Sequence, residues 1–102
     1  MQILYTTFKT KKDAAKFAKI LIKKSLAKCC NYYKVQSIYK WDKKIYNESE
    51  WILEAKAKNI LHAYRFLEKN HPYKCPMLYY VNIKNVSKKY ARWLGEKNED
   101  IL

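Results

Sequence analysis

The chain of 102 residues has little glycine and proline and no long apolar run. With 1 Gly and 2 Pro, it lacks the glycine-rich loops that cradle phosphates and the composition of a proline-rich linker. Its apolar runs are a few residues long, far short of the roughly 20 that span a bilayer. The first residues also lack the charged and apolar segments of a secretory signal. We therefore expect a cytoplasmic protein that has no membrane partner.

Cysteine is scarce as well, and acidic residues are outnumbered. Cys29, Cys30 and Cys75 are odd in number and include an adjacent pair, which predicts free thiols instead of a disulfide framework. The 22 Lys and Arg against 9 Asp and Glu give a formal charge of +13. Because only Arg65 and Arg92 are arginines, we do not expect nucleic acid to be the main partner. A basic single-stranded nucleic-acid binder that uses sheet aromatics is kept as an alternative.

What the chain does have is 49% hydrophobic and 16% aromatic residues, enough for one modest core. Period-2 and helical spacings predict an alternation of strands and helices. Thr10, Asn59 and Ser87 are typical helix-capping residues, and Gly95 is expected to end the last helix. We predict one domain over residues 1–96 and a loose tail over 97–102. The predicted strands are 2–8, 29–39, 49–57 and 77–83, with helices after residues 10, 59 and 87.

This order is an α+β, ferredoxin-like βαββαβ arrangement with an additional C-terminal helix. Two helices cover one face of a four-stranded antiparallel sheet, whereas the predicted strands carry large apolar or aromatic side chains on both faces. An uncovered face of that kind usually marks an interface. The sequence therefore predicts an oligomer.

Five motifs in order resemble the CutA divalent-cation tolerance family, over about residues 3–95. The resemblance implies a PII-like homotrimer that responds to divalent metal ions, copper most of all, and that has no established enzymatic reaction. We therefore expect a tolerance protein and not an enzyme, with a trimeric scaffold or small-molecule sensor that has no physiological metal as the alternative. The motifs are Tyr5-Thr6-Thr7-Phe8, Leu26-Ala27-Lys28-Cys29-Cys30-Asn31, the run from Ser37 to Ile45, His71-Pro72-Tyr73-Lys74-Cys75-Pro76 and Tyr90-Ala91-Arg92-Trp93-Leu94.

The sequence departs from that family at three places. The family commonly has a glycine in the bend where this chain has Lys34-Val35-Gln36, and another in the turn where it has Asp42-Lys43-Lys44. After the second proline of the His-Pro-Tyr loop, the family usually has an acid where this chain has Met77.

A metal site is the first candidate. His71 and Cys75 lie four residues apart in the predicted loop, and Cys29 or Cys30 could approach from a neighbouring strand or subunit. Such a set of nitrogen and sulfur ligands suits Cu(I) or zinc.

A polar pocket between subunits is the second candidate, and its residues follow from the family resemblance. Glu50 and Lys56 share one face of a strand, because they are six residues apart. Nucleophilic catalysis finds no support, since no Ser-His-acid or Cys-His-Asn set is recognisable. The pocket residues are Tyr39, Trp41, Glu50, Lys56, His71 and Tyr73.

Overall fold

The structure, a computed structural model, describes residues 1–95 and has the predicted order of elements in that range. The predicted tail over 97–102 lies outside the described residues, as does residue 96. None of the helices in the described range is long and apolar enough to cross a membrane. The elements are β1 (Gln2–Phe8), α1 (Lys11–Lys23), β2 (Cys29–Trp41), β3 (Lys44–Ala57), α2 (Leu61–Asn70), β4 (Leu78–Asn82) and α3 (Lys88–Gly95).

The four strands form one antiparallel sheet in the order β2-β3-β1-β4, which confirms the ferredoxin-like arrangement. The hairpin of β2 and β3 is longer than predicted, because both strands continue to the turn at Asp42. The polar stretch from Tyr46 to Ser49 lacks an apolar alternation in the sequence. It is extended because each residue pairs across the hairpin, for example Tyr46 with Tyr39.

The hairpin turn does without the glycine that such turns favour. Asp42 and Lys43 have φ values of 51° and 66°, the left-handed geometry of a two-residue turn. Ser25 has a φ of 58° just after α1, where the Leu26 N–H donates to the Leu21 carbonyl at 2.8 Å. Residues 34–36, where the family commonly has its other glycine, continue β2 with negative φ.

Thr10 and Ser87 bond at the starts of α1 and α3 as predicted, whereas the N-cap of α2 is Ile60 and not the predicted Asn59. The Thr10 hydroxyl accepts from the Asp13 N–H at 3.1 Å, and the Ser87 hydroxyl accepts from the Tyr90 N–H at 3.3 Å. The Asn59 side chain accepts from the Leu61 N–H at 3.0 Å. These bonds satisfy backbone donors that the first helical turn leaves free.

The core lies between α1, α2 and one face of the sheet. Alternate strand residues face the helices, as the pairs of Leu4 with Ala55 and of Thr6 with Leu53 show. Helical spacing presents Phe17 and Leu21 of α1 to the same layer. The fully buried large side chains there are Leu4, Phe8, Leu21, Leu53, Ile60 and Leu67.

The other side of the sheet, here called the open face, carries Tyr5, Tyr33 and Tyr79. The last two are 40% and 48% exposed. The C-terminal helix α3 covers one end of this face, since its Tyr90 lies beside Cys29. At the other end, residues 35–50 of β2 and β3 pair only with each other in the described part of the chain and form a projecting hairpin, here called the arm.

Candidate functional site

A groove of about 1040 Å³ lies on the open face, between the arm and the loop of residues 71–77. Its walls combine aromatic rings, carboxylates and sulfur atoms. Concave sites that combine apolar surface with a few polar groups are where proteins usually bind ligands. The side chains that matter most for its chemistry are Tyr39, Trp41, Glu48, Glu50, Tyr73 and Cys75.

The strand period explains why the arm supplies one wall of the groove. In β2, Ser37, Tyr39 and Trp41 are two residues apart and therefore share one face. In β3, Glu48 lies opposite Ser37, and Glu50 lies opposite Val35. The two glutamates are thus neighbours on one face of β3, about 7 Å apart along the strand.

Each glutamate accepts a hydrogen bond from a tyrosine of the groove. The Tyr73 hydroxyl donates to Glu50 Oε2 at 2.9 Å, and the Tyr39 hydroxyl donates to Glu48 Oε1 at 2.5 Å. The bond to Glu48 raises the pKa of Tyr39 to about 12, and burial together with Glu50 raises the pKa of Tyr73. Both phenols therefore keep their protons at neutral pH. Each carboxylate keeps a second oxygen that a cation can contact.

His71 holds the loop in place through both of its ring nitrogens. Its Nδ1 accepts from the Tyr73 N–H at 3.0 Å, so the proton is on Nε2, which donates to the Thr7 carbonyl at 3.0 Å. The ring also stacks on Phe8, with 4.5 Å between centroids. Burial lowers the pKa of His71, against the opposing effects of Thr7 and two acids. A neutral imidazole with both nitrogens engaged is a positioning residue for Tyr73.

Two sulfur-bearing residues of the same loop reach the groove. Cys75 has an exposed side chain, and Met77 is 36% exposed. The Thr6 hydroxyl donates to the Met77 carbonyl at 2.6 Å and fixes the backbone there. Thiolate and thioether sulfurs are soft ligands that prefer copper-class metals. Met77 therefore gives this groove a soft donor beside Cys75.

The structure brings together four of the six predicted pocket residues: Tyr39, Trp41, Glu50 and Tyr73. His71 stands directly behind them. Lys56 shares the face of Glu50 but lies about 20 Å along β3. It pairs with Glu54 at 3.6 Å and donates to Asn31 instead of Glu50.

The predicted metal ligands are not gathered in one subunit. Cys75 lines the groove, whereas Cys29 pairs with Lys56 at the far end of the sheet. Cys30 faces the core, where burial raises the pKa of its thiol to about 12. Within residues 1–95, His, Cys, Asp and Glu form no group of three or more that could hold a metal. A site that combines His71, Cys75 and Cys29 would need neighbouring subunits, and His71 would have to give up one of its two hydrogen bonds; the site stays a prediction.

Sequence reasoning missed several residues of the groove. Glu48 could have been found, because it lies two residues before Glu50 and shares its face. No sequence pattern assigns Lys9 and Lys74 to the groove, since the chain has many lysines and nothing in the sequence distinguishes these two. Met77 was noted only as a departure from the family pattern, although it lines the groove.

Comparisons with known proteins show which family and which solved structures the chain resembles. The model of the CutA1 divalent ion tolerance protein family matches residues 2–97. The divalent-cation tolerance protein CutA of Thermotoga maritima is 31% identical over 98 residues, covering 94% of this chain and 97% of that protein. The crystal structure of CutA1 from Pyrococcus horikoshii is similar with a TM-score of 0.89 and 28% identity, covering 98% and 100%. A PII-like protein CutA from Nostoc sp. PCC 7120 has a similar fold, with a TM-score of 0.84 and 24% identity over 92% and 93% of the chains.

Proposed function

The chain belongs to the CutA1 divalent ion tolerance protein family, and we propose that it serves this tolerance by binding copper-class cations as a homotrimer. The observation that carries the metal part is the groove. It combines the soft sulfurs of Cys75 and Met77 with the carboxylates of Glu48 and Glu50. Sulfur donors favour Cu(I), and the added oxygen donors suit divalent ions.

The homotrimer is supported by the surfaces that one chain leaves exposed. Tyr33, Tyr79 and Val81 lie on the open face, and the arm carries Ile38 and Ile45 at 70% and 75% exposure. Apolar area of this extent usually marks an interface. A trimer would also supply the ligands that a metal in the groove lacks within one described chain. The proposal contains no catalytic step, and the cytoplasmic location stays a prediction of the sequence.

The test is a Cu(I) competition titration against a chromogenic chelator, together with zinc and Cu(II) titrations. We expect Cys75→Ser to weaken Cu(I) binding at least about tenfold and Met77→Leu to weaken it less, because a thiolate is the stronger ligand. Cys30→Ala is the matched thiol control, since Cys30 faces the core. Unchanged affinity in Cys75→Ser would contradict a metal in the groove.

The same samples test the assembly by light scattering after size exclusion. A mass of three chains that persists at high salt is expected, because apolar interfaces are insensitive to screening. A monomer would overturn the trimer. Weaker metal binding in Cys29→Ser would indicate that a neighbouring subunit contributes Cys29, as the sequence predicts.

A further inference from the structure

The groove carries charges of both signs that are not paired with each other. Glu48 and Glu50 line it, and so do Lys9 and Lys74. Among the described residues, no ion pair joins either lysine to either glutamate, although the groove brings all four side chains to one concave surface. A concave surface that presents charges of both signs, not paired with each other, suits a ligand that itself carries both charges.

The charges are also arranged in order along the groove. Lys9 directly follows β1, and Lys74 is next to Tyr73, so both lysines belong to the loop end. Glu50 lies at the same end, because it accepts from the Tyr73 hydroxyl. Glu48 lies two residues farther along β3 towards the tip of the arm. Beyond it stand the aromatic rings of Tyr39 and Trp41. The groove therefore has the two lysines and Glu50 at the loop, and Glu48 with the aromatic rings farther along the arm.

The net charge of the chain decides which class of ligand this arrangement suits. At +13, the protein repels simple organic cations at long range, and its field favours anions. A zwitterion has no net charge and meets no such barrier, yet it can contact both ends of the groove.

We propose that the groove binds a small zwitterion of the amino-acid class, with its carboxylate at Lys9 and Lys74 and its ammonium at Glu48. The free oxygen of Glu48 accepts from the ammonium, and the face of a neighbouring aromatic ring adds a cation–π contact. This inference uses the groove of the proposed function but needs no metal in it.

The experiment is calorimetric titration of the full chain in metal-free buffer containing EDTA. The probes are glycine, 4-aminobutanoate and 6-aminohexanoate, whose charges are increasingly far apart, with butylamine and butanoate as singly charged controls. We expect at least one zwitterion to bind about tenfold more tightly than either control, since only it uses both pairs of charges. The best chain length reports the separation of the two charge pairs.

Variants locate the binding. Glu48→Gln and Lys74→Gln should each weaken the best zwitterion about tenfold, the loss expected for one charge-assisted contact. Glu68→Gln on α2 and Lys19→Gln on α1 change the net charge equally and should leave binding unchanged. No binding by any zwitterion, equal binding of butylamine, or equal effects of the control variants would overturn the proposal.

The proposed metal binding and the proposed zwitterion binding can be tested independently of each other. Lys74→Gln removes no metal ligand, and Cys75→Ser removes no charge contact to the zwitterion. If Cu(I) binding is lost in Cys75→Ser while the zwitterion still binds, the two ligands depend on different groups in one groove. If Cys75→Ser leaves Cu(I) binding unchanged and Lys74→Gln still weakens the zwitterion, only the metal proposal is wrong.

Discussion

The strands β2 and β3 run through two regions that are stabilised in different ways. Their inner halves lie under α1, where Leu53 and Ala55 are fully buried. Their outer halves form the arm, where Ile38 and Ile45 are 70% and 75% exposed. Strand geometry is thus imposed by burial in one region and by cross-strand pairing alone in the other.

The groove lies where these two regions meet. Its inner wall rests on the covered sheet through His71, which stacks on the buried Phe8 and bonds to Thr7. Its outer wall is the arm, which carries Glu48 and the aromatic rings. The groove therefore joins one wall that is packed on the core to another wall that has little cover within the described chain.

The largest expected difference between the regions comes from deleting apolar side chains. Leu53→Ala should lower the free energy of unfolding by about 2–5 kcal/mol, because it leaves a cavity in the core. Ile45→Ala, in the arm, should cost at most about 0.5 kcal/mol within a single chain. Denaturant titration at low protein concentration measures both. Equal losses would show that the arm is packed as firmly as the core.

A smaller effect is expected from the pH dependence of the inner wall. The pKa of His71 is lowered in the folded state, so the unfolded chain binds the proton more tightly. The stability that neutral His71 contributes is present above its unfolded pKa of about 6.5 and is lost as the pH falls below that value. The slope of stability between pH 7.5 and 5.5 should therefore shrink in His71→Gln.

The exposed His62→Gln variant, measured by denaturant titration at the same pH values, is the control for that slope and should keep it. A slope that survives in His71→Gln would contradict the neutral, engaged state of His71. Near-ultraviolet circular dichroism of Tyr73 and its neighbours would report whether the loop moves with the protonation.

The smallest expected effects come from the turns, one in each region. Lys43→Gly at the tip of the arm and Ser25→Gly after α1 remove side chains from positions with positive φ. Each substitution should raise the free energy of unfolding by about 1 kcal/mol or less, because a residue other than glycine is strained in the left-handed conformation. The melting temperature should rise accordingly. Lys44→Gly, beside the turn but in β3, should destabilise instead. A loss of stability in both turn variants would show that the two positions are not strained.

Much of the fold could be predicted from the sequence, because its signals are local. The apolar stripe around Phe17 and Leu21 indicates α1, and the caps Thr10 and Ser87 mark helix starts. The outer half of the hairpin was missed, since Tyr46–Ser49 has no apolar alternation of its own. Its extended geometry comes from pairing with β2, which a local pattern does not contain.

The candidate site, like the fold, could be predicted only in part from the sequence. Tyr39, Trp41, Glu50 and Tyr73 were predicted, and they share the groove. The sequence also predicts Lys56 in this pocket, on the same face of the strand as Glu50. Two residues on one face of a strand can still lie far apart along it, as Glu50 and Lys56 do. The partners of Lys56 are Glu54 and Asn31 instead.

By itself, the sequence determined the family, the order of elements and the excess of lysine, because these follow from composition and from short motifs and local spacings along the chain. Only the tertiary structure decided that both ring nitrogens of His71 form hydrogen bonds within its own chain. It also decided that Cys75 and Cys29 lie apart, and that two lysines and two glutamates line one groove without pairing. These facts depend on strand register and loop position, which bring distant residues together or keep them apart.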